Sequence, residues 1–434
     1  MFKSQNVKIW THISLGLIAI VGYSYGGIFF RFAMIPYVSW MVIQKSSNYL
    51  PALCLHLITE TMVMNVMYIA IAITCILNYK VIIKYKVKWL FFLLLLITPL
   101  FIIFWGLLFF KYKISFNESL VRLDFFLPLF AFFYGVLIAK DLSKNVIHAI
   151  FAIMFIIYGI STAGLANVRL VFFGLPLWCA ATTLFFTKVK QNKIFSVLPL
   201  IFLIFYMLTI GKSTFTVLLI ILFSMIYCLL YFKNSSIISS PIFAISHFIF
   251  IIVAMSWGIS TYEESDFTEV DQEEKITFTS SESFTERFKF KVLGDRAPYW
   301  AAGLAQIVEN PYLLPPKEVK EFAAVLNGKE QMEESFGAHN FYIDAVRKFG
   351  LLGGLTIVFM FVSYMFKSVL LFRVKNVDPL LIIIVSTVFA DGIIGSLTGH
   401  FPVQPSFALI SLGFFGISYA IGVRLKNNWR DEKK

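Results

Sequence analysis

Charged residues are scarce in this chain of 434 residues. Asp, Glu, Lys and Arg together make up 14% of it, whereas hydrophobic residues make up 59% and aromatic residues 18%. Water-soluble globular domains carry roughly a quarter charged residues. The scarcity of charge therefore excludes an ordinary soluble globule, and it predicts that a lipid bilayer is the solvent for most of the chain.

Cysteine is also rare. The four cysteines (Cys54, Cys75, Cys179 and Cys228) lie in or beside apolar runs, with no CxxC or Cys/His spacing among them. Disulfide frameworks and zinc sites both need such spacing. We predict neither, and we interpret the four cysteines as packing residues.

A signal-peptide cleavage site is missing from the chain, and a possible P-loop is incomplete. The apolar stretch 9–30 is not followed by a small-residue cleavage site, so it is expected to be a retained first helix with its N-terminus in the cytoplasm. The GKST sequence at 211–214 has Tyr206 where a phosphate-binding P-loop needs glycine, so no ATP site is predicted.

What the chain does contain is a series of long apolar runs. A helix needs about 20 residues to cross the hydrocarbon core of a bilayer. Twelve runs qualify as predicted spans: 9–30, 61–77, 89–110, 124–139, 146–165, 170–186, 194–211, 214–232, 240–258, 350–366, 379–397 and 403–423. The sequence thus predicts an all-α polytopic membrane protein of about twelve transmembrane helices.

The charges are distributed unevenly along the chain. Residues 259–348 hold 17 acids and 10 bases, whereas the rest of the chain holds 8 acids and 27 bases. Short loops rich in Lys and Arg mark the cytoplasmic side. Alternating the spans from a cytoplasmic start places these loops, and both termini, on the cytoplasmic side of the membrane. The overall charge of +12 therefore does not indicate nucleic-acid binding.

This topology divides the chain into three parts: spans one to nine (1–258), a large periplasmic loop (259–348), and spans ten to twelve with a cytoplasmic tail (349–434). The loop begins with an acidic, Ser/Thr-rich segment (259–286) of the composition typical of flexible chain. From residue 287 its character changes, and RAPYWAAGLAQIVEN predicts an amphipathic helix at the membrane surface.

The strongest local signal is GAHNFYIDAVRKFGLLGG at the end of the loop, residues 337–354. His339 and Asn340 precede a predicted helix that runs straight into a span, which would place an imidazole at the membrane interface. Imidazole transfers protons near neutral pH. The alternative is a histidine that only anchors or caps a helix.

Several cations are candidates for binding an anionic group. Arg296 lies in the loop one helical turn before Trp300, and guanidinium suits phosphate recognition. Arg169 and Lys212 fall at outer ends of spans, where they either snorkel to lipid phosphates or converge with Arg296. The cations that compete for the role of Arg296 are Arg287, Lys289, Lys291 and Arg347. An acid inside a span, Asp391, is a weaker candidate that could simply pair with a cation.

The pattern of His339, Asn340, nine residues, Gly350, two residues and Gly353, preceded by Arg296 and Trp300 in a long outer loop, resembles the O-antigen ligase superfamily, which includes O-antigen polymerases. The specific part covers residues 294–354. Lys212 departs from the pattern, since the family has an arginine there.

The resemblance implies a GT-C-like membrane glycosyltransferase that needs no metal or cofactor. It would move a glycan from undecaprenyl diphosphate to a hydroxyl of lipid A-core, with inversion, on the periplasmic face. His339 and Arg296 would be catalytic, and Arg169, Lys212, Asn340 and Trp300 would bind substrate.

Three alternatives remain open. A polymerase would join repeat units on the same lipid carrier and differ only in its acceptor. A transporter or flippase of lipid-linked sugars would also need many spans, and it predicts broken helices and charges within the membrane. A structural or assembly protein would leave the motif at 337–354 unexplained.

Overall fold

The computed structural model describes residues 61–112, 126–140, 142–143, 146–148, 214–232, 249, 300, 303–304, 307–308, 311, 340–398 and 405–431. Within these ranges the chain is helical and contains no β-strand. The all-α prediction is confirmed for this part of the chain.

Eight α-helices are numbered here in chain order. They are α1 (Thr61–Leu77), α2 (Tyr79–Ile82), α3 (Lys88–Tyr112), α4 (Phe130–Ile138), α5 (Thr214–Phe232), α6 (Phe341–Ser368), α7 (Pro379–Thr398) and α8 (Pro405–Asp431). Short 3-10 turns follow α2 (Ile83–Tyr85), precede α4 (Leu127–Leu129) and follow α6 (Val369–Arg373).

Among the described residues, three helical stretches are long and apolar enough to cross a membrane: Phe349–Arg373, Pro379–Leu397 and Ala408–Lys426. A fourth qualifies if the bent pair Met67–Leu77 and Tyr79–Tyr85 is taken as one span. These stretches indicate a membrane protein. They coincide with predicted spans, as do α3, α4 and α5, whereas the total of twelve spans and the sidedness of the loops stay predictions.

In the described part of the chain, α8 packs against both α4 and α7. Nearly all of α7 is buried inside the protein. α4 and α8 cross closely because both carry glycine at the crossing: a Cβ on Gly135 would overlap the Gly413 carbonyl, and one on Gly416 would overlap the Phe132 carbonyl. Small residues allow apolar helices to approach to backbone contact.

α6 is broken at Gly350, whose backbone angles are φ 70° and ψ 174°. This region is essentially restricted to glycine. We call residues 341–349 the short arm and residues 351–368 the long arm. The two arms pack against each other, since a Cβ on Gly354 would lie 2.6 Å from the Ala345 carbonyl oxygen. The expectation of a helix running straight from Asn340 into the span is therefore wrong.

Candidate functional site

The predicted site residues are only partly within the described chain. Asn340 and Trp300 are described, whereas His339, Arg296, Arg169 and Lys212 lie outside the described residues. The site is therefore built from the short arm of α6 and from what contacts it.

Asn340 is the N-cap of the short arm. Its backbone is extended (φ −140°, ψ 116°), and its side-chain Oδ1 accepts hydrogen bonds from the backbone N–H groups of Tyr342 (3.0 Å) and Ile343 (3.3 Å). Asparagine is among the best N-cap residues because its oxygen binds N–H groups that the helix leaves unpaired. Asn340 thus fixes the start of the short arm.

Only the oxygen of the Asn340 side-chain amide takes part in the cap. The residue is fully buried, and Nδ2 has no hydrogen-bond partner among the described residues. The indole Nε1 of Trp300, which is 2% exposed, is in the same situation. Buried donors that lack an acceptor are costly and each calls for a specific explanation. A ligand oxygen would satisfy them.

One turn along the short arm, Asp344 and Arg347 form an ion pair. Arg347 donates from Nη2 to Asp344 Oδ1 over 2.9 Å and from Nε to the same oxygen over 3.3 Å. The Asp344 side chain is 0% exposed and the Arg347 side chain is 10% exposed. Arg347 was one of the cations competing for the role of Arg296, and in the structure its guanidinium contacts Asp344. The i,i+3 spacing of the two residues was the sequence signal for this pair.

The break at Gly350 is enclosed by aromatic rings. The Phe349 ring lies 5.5 Å from the Phe101 ring of α3 and 5.7 Å from the Phe126 ring before α4. A Cβ on Gly353 would press on the Phe101 ring. The two glycines of the motif therefore have separate purposes: Gly350 permits the turn of the backbone, and Gly353 admits the Phe101 ring.

The loop segment that precedes the short arm also reaches the break. Residues 300, 303–304 and 307–308 are helical, in agreement with the predicted helix. The Leu351 N–H donates to the carbonyl oxygen of Pro311 over 3.0 Å. This bond attaches Pro311 to the first residue of the long arm.

α7 contributes two polar positions that the motif did not include. The hydroxyls of Tyr342 and Ser396 are 3.0 Å apart, which links the short arm to α7. Asp391 is 3% exposed, and no hydrogen bond or ion pair joins it to another described residue. An ionisable group inside a span is a functional candidate by default. Asp391 is thus a stronger candidate than its sequence neighbourhood indicated.

Chemically, the described part of the site offers buried N–H donors, one neutralised ion pair and a carboxyl group in the neighbouring helix. Within the described ranges, no three His, Cys, Asp or Glu side chains are grouped so that they could hold a metal ion. The arrangement is suited to hydrogen bonding of an oxygen-rich ligand in an apolar bundle. No family model, no curated protein and no solved structure matches this chain.

Proposed function

We propose that the chain is a membrane glycosyltransferase that transfers a glycan from undecaprenyl diphosphate to an acceptor hydroxyl on the periplasmic face of the bacterial inner membrane. The acceptor is a hydroxyl of lipid A-core, as in an O-antigen ligase. A polymerase, which adds the glycan to a repeat unit on the same lipid, is the alternative acceptor class.

One observation carries the proposal. The residue that follows His339 in the motif, Asn340, is fully buried, with its amide Nδ2 lacking a partner among the described residues. A residue needed only to cap a surface helix has no reason to bury a free donor. Burial of a free donor is explained if the donor binds a glycan or phosphate oxygen, because the ligand then removes the cost of the burial.

The reaction balances with side chains of this chain alone. The acceptor oxygen forms a bond to the anomeric carbon of the sugar, the bond from that carbon to the diphosphate oxygen breaks, and undecaprenyl diphosphate leaves. His339 takes the proton of the acceptor hydroxyl. Arg296, Arg169 and Lys212 stabilise the charge that develops on the diphosphate. Asn340 and Trp300 orient substrate oxygens through their N–H groups.

Genetic complementation tests this assignment. His339→Ala and Arg296→Ala are expressed in ligase-null and in polymerase-null strains, and lipopolysaccharide is examined on a gel. Both variants should abolish rescue although the protein is inserted at the normal level. Loss of the ligase reaction leaves lipopolysaccharide core without O-antigen. Loss of the polymerase reaction leaves core that carries a single repeat unit.

Matched controls come from the opposite end of the bundle, where His148 contacts Asp378 and Arg373 is exposed. His148→Ala and Arg373→Ala should rescue fully. Full rescue by His339→Ala and Arg296→Ala as well would remove both from catalysis. Lys212→Arg should rescue the null strain and Lys212→Glu should not. Equal rescue by the two variants would remove Lys212 from the phosphate site.

A second candidate function is transport of a lipid-linked sugar. The break of α6 at Gly350 and the buried Asp391 favour it, because broken helices and charges within the membrane are features of transporters. Purified protein in proteoliposomes distinguishes the two functions. Formation of the glycan–acceptor product supports the transferase, whereas movement of the intact lipid-linked glycan between leaflets without such product supports the transporter.

A further inference from the structure

The end of the bundle opposite Gly350 carries a row of lysines on the connection between α1 and α3. Lys80, Lys84, Lys86 and Lys88 are all exposed, and we call them the lysine crescent. The helix axis bends by 70° between Met67–Leu77 and Tyr79–Tyr85, so this connection turns away from the direction of α1. The crescent therefore lies on a segment that crosses the end of the bundle.

This connection is fixed to the protein. Ile82 and Val87 are buried, at 0% and 1% exposure, and the Tyr419 hydroxyl of α8 donates to the Tyr85 carbonyl oxygen over 2.6 Å. Lys86 adopts a left-handed conformation (φ 58°), which ends the turn. The backbone thus holds the four lysines in a defined arrangement.

The crescent has no counter-ion in the described part of the chain. Neither the contact of His148 with Asp378 nor the ion pair of Arg347 with Asp344 involves it. Asp378 is already occupied: its Oδ2 lies 3.3 Å from His148 Nε2, and its Oδ1 accepts the Leu380 N–H. The four lysines lie within residues 80–88, and like charges so close together repel one another. An external anion would relieve this repulsion.

Further cations at the same end reinforce the positive field. Arg424 donates to the carbonyl oxygens of Ala139 and Lys140, and Lys367 lies 5.1 Å from the centre of the Tyr419 ring. The ring of Tyr419 belongs to the same side chain that holds the crescent through Tyr85. The positive charge therefore comes from several helices and is not confined to one loop.

Exposed apolar and aromatic side chains flank the crescent, and they identify the kind of anion. Trp89 is 87% exposed and Leu77 69% exposed, and Tyr79 is exposed as well. Lysines next to tryptophan, tyrosine and leucine are the composition of a membrane interface, where the charges meet headgroups and the apolar groups meet acyl chains. A free phosphate ion would leave the apolar side chains in water.

We propose that the lysine crescent is a binding surface for the headgroups of anionic phospholipids in the leaflet at this end of the bundle. The phosphate groups lie between the lysine side chains, and Trp89 and Leu77 contact the acyl chains. The surface is remote from the Gly350 break, so the inference does not depend on the proposed glycosyl transfer.

Lipid binding to the purified full-length chain in detergent tests the inference, with bound phosphatidylglycerol and phosphatidylcholine counted by native mass spectrometry. The chain should bind phosphatidylglycerol at least about tenfold more tightly than phosphatidylcholine, because each lysine near an anionic headgroup adds to the attraction. The variant K80Q/K84Q/K86Q/K88Q should lose this preference, and K80R/K84R/K86R/K88R should keep it.

If the Gln variant does not fold, the salt dependence of lipid binding by the unmodified chain still tests the inference. For the unmodified chain, the preference for phosphatidylglycerol should fall as ionic strength rises, because exposed charges are screened. The inference is overturned if the preference is independent of salt, if the Gln variant keeps it, if the Arg variant loses it, or if millimolar inorganic phosphate displaces the lipid.

Discussion

The ring of Phe341 lies 5.0 Å from the ring of Phe361, centroid to centroid, although twenty residues separate them in α6. In a continuous helix these residues would be about 30 Å apart. The contact is possible only because the chain turns at Gly350 and brings the short arm alongside the long arm. Asn340, at the start of the short arm, is fully buried.

Replacing Gly350 tests the break directly. Gly350→Ala and Gly350→Asn should each lower the free energy of unfolding by about 1–3 kcal/mol, because φ 70° with ψ 174° is a region that other residues avoid. Thermal unfolding in detergent measures the change. Leu352→Ala is the control, since Leu352 is 87% exposed two residues further along. An equal stability of the Gly350 variants and this control would contradict the break.

Two substitutions of Asn340 distinguish its role in capping the helix from a role in binding ligand. Asn340→Ala should cost about 1 kcal/mol, because the Tyr342 and Ile343 N–H groups lose their acceptor. Asn340→Ser keeps a side-chain oxygen that can cap the helix and should retain most of the stability, but it removes the Nδ2 donor and should abolish glycan transfer. Unfolding in detergent and rescue in the null strains are the two readouts. Full rescue by Asn340→Ser would show that Nδ2 does not bind substrate.

The buried ion pair gives a prediction with its own internal control. Arg347→Met should destabilise the protein by about 3–5 kcal/mol, because it leaves the fully buried Asp344 carboxylate without its cation. The double variant Asp344→Asn/Arg347→Met should be clearly more stable than Arg347→Met alone. Asp344→Asn alone completes the cycle. If its loss and that of Arg347→Met simply add in the double variant, the two side chains are not coupled, and Arg347 returns as a candidate for binding phosphate.

The crossing of α4 and α8 predicts a difference between two glycine-to-alanine changes. Gly416→Ala brings a Cβ onto the Phe132 carbonyl, which is backbone and cannot move aside. Gly353→Ala meets the far edge of the Phe101 ring, which can rotate. Unfolding in detergent should show Gly416→Ala to be the less stable by about 1–3 kcal/mol. The reverse order would contradict the close crossing.

Much of the helical arrangement was predictable because a bilayer-crossing helix is specified locally. Predicted spans 61–77, 214–232 and 379–397 agree with α1, α5 and α7 to within a residue at either end. The break in α6 was not predictable in the same way. The sequence FYIDAVRKFGLLGG reads as helical on both sides of Gly350, and a glycine inside a helical pattern does not reveal its φ angle.

The candidate site was predictable in part. The motif singled out Asn340 and Trp300, and both are buried with free N–H donors within the described residues. The contact of Tyr342 with Ser396 and the engagement of Arg347 by Asp344 were not among the predictions. The first joins residues 54 positions apart, and only the packing of the short arm on α7 brings their hydroxyls to 3.0 Å.

The sequence by itself determined that the chain is built from apolar helices, because hydrophobic length and the position of charges are properties of each segment alone. It also marked residues 337–354 through their motif. The tertiary structure decided that α6 folds back at Gly350, which of the buried donors stay free, and that the lysines after α1 lie on one fixed surface. These depend on contacts with other helices, such as Val346 on Gly354 and Tyr419 on Tyr85, whose members are distant in the chain.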